Sequence, residues 1–122
     1  MGKIVMVIDD DEDVREVLRD FIEDLGYRPV VAANGQEGLD AIRGLDEPPC
    51  VILLDLMMPV MDGWQFLQVV SADVSLARIP IVISTSAPDR APSGPKVLAK
   101  PVDLEDFVAE LRQLCGSAAA RA

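Results

Sequence analysis

Ile4-Val5-Met6-Val7-Ile8 runs straight into Asp9-Asp10-Asp11. An apolar run this short and this rich in β-branched residues does not suit a helix. It also lacks the apolar-polar alternation of a strand with one wet face. It reads as a strand buried on both faces, the kind found in parallel sheets. The pattern recurs at Cys50 to Leu54, which closes on Asp55, and at Ile81 to Ser84 or Thr85, which Pro80 introduces. Val30 to Ala33 and Val97 to Ala99 are shorter versions. Between these runs apolar residues return at steps of three and four. Val14, Val17, Leu18, Phe21, Ile22 and Leu25 form one helix face, and Gly26 suits its stop.

Further helices begin at recognisable caps. Asn34 with Glu37 and Asp62 with Gln65 have the spacing of capping boxes. The first precedes Gly38, Ala41, Ile42 and Leu45, and the second precedes Phe66, Leu67 and Val70. Asp103 caps a last helix that turns Leu104, Phe107, Val108, Leu111 and Leu114 to one side and ends at Gly116. Strands alternating with helices predict an α/β fold with a parallel sheet. The expected order is 2-1-3-4-5, the flavodoxin-like doubly wound arrangement. Residues 1–116 are expected to form one domain and residues 117–122 a disordered tail.

Composition narrows the chemistry. The chain has 122 residues, no histidine, two cysteines and a formal charge of −10. Without histidine there is no Ser-His-Asp or Cys-His machinery and no HExxH zinc site. The protein also cannot itself carry a phosphohistidine. The acidic balance disfavours nucleic acid and anionic membrane as direct partners, because phosphate backbones demand a basic footprint. No apolar run approaches the ~20 residues that span a bilayer. The start of the chain does not read as a signal peptide, so a cytoplasmic location is expected. Cys50 and Cys115 stand 65 residues apart and read as reduced core thiols.

In an open parallel sheet, ligands bind outside the carboxyl ends of the strands. Four of the five strands deliver a chemically capable side chain there: Asp9 and Asp10, Asp55, Thr85 and Lys100. With strands one and three adjacent, three carboxylates crowd together, and such crowding raises at least one pKa unless a cation intervenes. Lys100 offsets one charge and Mg²⁺ would offset two more. A carboxylate such as Asp55 can attack a phosphoryl donor. Lys100 and a hydroxyl such as that of Thr85 can receive the charge that moves.

The motifs that hold these residues resemble those of response-regulator receiver domains. Val7-Ile8-Asp9-Asp10-Asp11 is similar to the family's acidic pair. Asp55-Leu56-Met57-Met58-Pro59-Val60-Met61-Asp62-Gly63 is similar to its phosphoacceptor loop, nearly residue for residue. Pro80 to Ala87 resembles its fourth strand, and Val97-Leu98-Ala99-Lys100-Pro101 its lysine-proline strand end. The resemblance covers residues 3 to about 115. It implies that Asp55 accepts the phosphoryl group and that Asp10, Asp55 and the backbone carbonyl of Met57 ligate Mg²⁺, with Mn²⁺ able to substitute. Asp9 would act through water. Lys100 would pair with the phosphoryl group, Thr85 would move toward it, and the Lys100-Pro101 peptide would be cis. The implied donor is a histidine kinase or histidine phosphotransfer protein, and output would pass to an unknown downstream protein. The protein would catalyse its own modification without being a conventional turnover enzyme.

Two departures bear on output. Between Thr85 and Lys100 stand only 14 residues, including Pro88, Pro92, Gly94 and Pro95. Interior prolines cost a helix ~3 kcal/mol each, so the helix the family places between its fourth and fifth strands is expected to be missing or cut to about a turn. Val97 also replaces the aromatic residue usual three positions before the lysine, so readout is expected to differ. Met57 and Ala87, two residues after Asp55 and Thr85, cannot hold water by a strong hydrogen bond, which predicts slow self-dephosphorylation.

Rival readings fit less well. Asp9, Asp11 and Asp13 have the spacing of a calcium loop, but Val14 occupies its glycine position. A haloacid-dehalogenase-like phosphatase would want an aspartate at Met57. The alternative kept open is a pseudo-receiver adaptor that never becomes phosphorylated.

Overall fold

The structure is a computed structural model and describes residues 3–116. The expected tail at 117–122 lies outside the described residues. The elements run β1 (Ile4–Ile8), α1 (Glu12–Asp24), β2 (Arg28–Ala32), α2 (Gly35–Arg43), β3 (Val51–Asp55), α3 (Gly63–Ala72), β4 (Ile81–Thr85), a 3₁₀ turn (Pro88–Arg90), β5 (Lys96–Ala99) and α4 (Leu104–Cys115). All strand pairs are parallel and the order is β2-β1-β3-β4-β5. Strands β1 and β3 are buried at every position.

Alternate residues of these strands feed two cores. Val5, Val7, Val51 and Leu53 pack with Leu18 and Ile22 of α1 and Phe107 and Leu111 of α4. Met6, Ile8, Ile52 and Leu54 pack with Leu39 and Ile42 of α2 and Phe66 and Val70 of α3. A run that is apolar throughout is therefore needed, because both faces are covered. Leu104, expected on the inner face of the last helix, is 40% exposed because it lies in the first turn, beyond the sheet's cover.

The caps form with little deviation. Asp11, Asn34, Asp62 and Asp103 accept hydrogen bonds from the first turns of α1, α2, α3 and α4. The reciprocal box at Asp62 and Gln65 is complete. At α2 the Glu37 carboxylate instead reaches back to the Ala33 N–H. Between β4 and β5 the only helical turn is Pro88–Arg90, so the full helix is indeed missing.

The cysteine reading is overturned. Cys50 and Cys115 form a disulfide, with their Cα atoms 5.3 Å apart. Sequence distance concealed this. Cys50 stands just before β3, and Cys115 is the last residue of a helix that runs back antiparallel to the strands, so the two meet at the amino edge of the sheet.

Candidate functional site

Asp9 and Asp10 follow β1, Asp55 and Thr85 are the last residues of β3 and β4, and Lys100 follows β5. Parallel strands in register carry all five to the carboxyl edge. A carboxylate oxygen from each of Asp9, Asp10 and Asp55 lies within 4.8 Å of the others, with Asp9 and Asp55 buried and Asp10 exposed.

Lys100 sits unequally between them. Its ammonium donates to Asp9 Oδ2 at 2.8 Å and lies 3.5 Å from Asp55 Oδ1. The Asp11 N–H donates to Asp9 Oδ1 at 2.9 Å, so both oxygens of Asp9 are engaged. Asp55 Oδ1 receives the Met57 N–H at 3.2 Å. Burial, and then the negative charge of Asp9, push the Asp55 carboxyl up to about 6 from 3.8. The more distant Lys100 and the Met57 amide pull it down without cancelling that rise. Burial would lower the Lys100 ammonium, but its bond to Asp9 and the charges of Asp9 and Asp55 raise it above an ordinary lysine. The lysine therefore stays charged, while Asp55 is held in a surplus of negative charge.

Thr85 is buried, and its hydroxyl oxygen accepts the Ala87 N–H at 3.1 Å. Its carbonyl accepts the Lys100 N–H at 2.8 Å, which ties the end of β4 to the start of the Lys100-Pro101 segment. That peptide is cis.

The loop after Asp55 is shaped by Gly63. A Cβ there would lie 2.6 Å from the Asp55 carbonyl oxygen and 2.7 Å from Leu56 Cα, so only glycine lets α3 start this close behind the acceptor. Val60 carries the loop's turn at φ 69°, a strained value for a β-branched residue. Trp64 lines a cleft of about 290 Å³ with Asp10, Met57, Asp62 and Arg90. On the other side of the site, Lys100 lines an apolar groove with Val14, Val17, Val102 and Leu104.

The model of the response regulator receiver domain matches residues 5–112. This chain belongs to the receiver-domain family of two-component systems. The response regulator Rre1 of Synechocystis is 31% identical over 121 residues, covering 90% of this chain and 50% of Rre1. The receiver thus spans half the length of that relative. It spans all of the polar-differentiation response regulator DivK of Brucella anthropi, at 29% identity over 97% of this chain. Among solved structures, the chemotaxis protein CheY4 of Vibrio cholerae superimposes with a TM-score of 0.80 at 25% identity, covering 93% of this chain and 99% of CheY4. The receiver domain of the Pseudomonas aeruginosa sensor histidine kinase PA1611, whose structure has a magnesium ion in its active-site cleft, gives 0.84 at 23% identity over 96% and 100%.

Of the six expected site residues, Asp9, Asp10, Asp55 and Lys100 lie together, and Thr85 ends β4 at the same edge. Met57 meets Asp55 through its N–H, and its side chain is 51% exposed. Sequence reasoning passed over Arg90, which is exposed, belongs to no periodic segment and carries no motif.

Proposed function

We propose that this receiver takes a phosphoryl group from the phosphohistidine of a histidine kinase or phosphotransfer protein onto Asp55, with residues 1–116 as the working unit. The single observation that carries this reading is the carboxylate triad closed by Lys100 at 2.8 Å from Asp9 and 3.5 Å from Asp55. Three crowded carboxylates facing one ammonium fit a hard divalent cation with oxygen ligands. Asp10, Asp55 and the Met57 carbonyl would hold Mg²⁺ or Mn²⁺, with Asp9 acting through water, and the ion would supply charge neutralisation at the transferring phosphoryl oxygens.

The remaining chemistry belongs to the chain. A carboxylate oxygen of Asp55 attacks phosphorus, the bond from phosphorus to the donor's imidazole nitrogen breaks, and the imidazole leaves with the electron pair. Lys100, already charged and fixed by Asp9, takes the phosphoryl oxygens that approach Asp55. Thr85 exchanges its bond to the Ala87 N–H for one to the phosphoryl group, and so pulls on the segment that follows. With Val97 in place of a ring and a single turn at Pro88–Arg90, the signal passes through that segment or through the α1 side. There Val17 and Leu104, 60% and 40% exposed beside Lys100, offer apolar contact to a protein partner. Met57 and Ala87 support a slow loss of the phosphoryl group.

Incubation with acetyl phosphate and Mg²⁺ tests the reading. A mass gain of ~80 Da, lost in Asp55→Ala and suppressed by chelator, is expected. No gain would favour an adaptor that never becomes phosphorylated.

A further inference from the structure

We propose that Arg90 is an anion-binding residue of the cleft beside the acceptor, its guanidinium meeting the phosphoryl group of the incoming donor and then that of the aspartyl phosphate. This rests on Asp55 being the acceptor.

The argument begins with charge. Asp9, Asp10 and Asp55 bring three negative charges. Lys100 and one divalent cation bring three positive ones, so the site is balanced before any donor arrives. A phosphoryl dianion then adds about two negative charges. Asp62 on the cleft wall adds another. Neither Asp55 nor Lys100 lines this cleft; Asp10, and Met57 whose N–H meets Asp55, join it to the acceptor, and the closest bond of Lys100 is already made to Asp9. Among the residues that line the cleft with Asp10, Met57 and Trp64, Arg90 is the only cation.

Arg90 is also placed with some rigidity. It closes the turn that Pro88 opens, and its N–H donates to the Ala87 carbonyl at 3.0 Å. The Ala87 N–H in turn donates to the Thr85 hydroxyl at 3.1 Å. The chain therefore leaves β4, makes one turn keyed to Thr85, and places Arg90 on the wall of the cleft. Among the described residues the guanidinium has no ion-pair partner, so it is available. Its planar fork suits phosphate oxygens better than an ammonium does.

The test uses the whole chain, with phosphorylation by acetyl phosphate followed by mass and with beryllofluoride, a phosphoryl mimic, followed by Trp64 fluorescence. Arg90→Ala is expected to lower the rate at subsaturating acetyl phosphate about tenfold and to weaken beryllofluoride binding to a similar degree. Arg90→Lys recovers part of both, and Arg90→Glu is worse than alanine. Affinity for Mg²⁺ alone is not weakened, which separates anion binding from general damage. The exposed Arg78→Ala serves as the neutral control. If Arg90→Ala stays within twofold of the parent in both assays, the proposal is wrong while Asp55 remains the acceptor. If the parent itself gains no phosphoryl group, the acceptor reading falls first and takes this one with it.

Discussion

The two edges of the sheet are built to opposite ends. At the amino edge, the disulfide joins Cys50 before β3 to Cys115 at the end of α4. Around it, the Lys3 ammonium donates to the Cys115 carbonyl, and the Tyr27 hydroxyl donates to the Gly116 carbonyl. The last carbonyls of a helix need partners, and here the starts of β1 and β2 supply them. At the carboxyl edge, carboxylates are gathered against one another, Asp55 is held above its ordinary range, and Val60 is strained. One edge is tied for stability, and the other carries destabilising features that suit phosphoryl chemistry. Both derive from the same parallel topology, which sends every strand start one way and every strand end the other.

The largest effect should come from the tied edge. In the chain-entropy view, a cross-link across 65 residues contributes about 4 kcal/mol. The double variant Cys50→Ser, Cys115→Ser should lose about that much in urea unfolding, yet still be phosphorylated at a similar rate when folded. A collapse of phosphorylation in a folded variant would break the separation of the two edges.

Gly63→Ala comes next. Its Cβ would meet backbone atoms of Asp55 and Leu56, and backbone cannot give way as a flexible side chain can. A loss of about 2–3 kcal/mol is expected. Slower phosphorylation should accompany it, because α3 can yield only by displacing the acceptor's loop. A variant as stable and as fast as the parent would contradict the geometry.

The smallest effect is the pH dependence of Asp55, measured in chelator. Its carboxyl binds a proton more tightly in the folded protein, at about 6, than at the unfolded value of 3.8. The native state therefore holds more protons between those values, and the group's contribution to stability falls as pH rises through them. Above pH 6 the penalty is fully present, and below the unfolded value it is absent. Asp55→Asn should melt higher than the parent near pH 7.5, with the gain gone by about pH 3.5. A gain that persists at acid pH would show that the charge is not its source.

Much of this was legible in the sequence because local and global requirements agree. The run Ile4 to Ile8 had to be buried on both sides, and an aspartate closing it had to mark the edge of the sheet. The prolines at 88, 92 and 95 announced the lost helix, because no helix tolerates that spacing. The disulfide was not legible, since nothing local marks two residues that only the return of α4 brings together. Leu104 kept the helical period but lay beyond the sheet that would have covered it. Arg90 escaped because an exposed arginine in an irregular segment looks like ordinary solvated charge until the turn that carries it is seen beside Asp10 and Trp64.

Amide NMR spectra recorded with and without beryllofluoride and Mg²⁺ test the account most directly. Shifts are predicted for Asp9, Asp10, Met57 and the run from Thr85 to Arg90, with Lys3, Tyr27, Cys50 and Cys115 left in place. Near-identical spectra, or changes as large at the tied edge as at the acceptor, would contradict it.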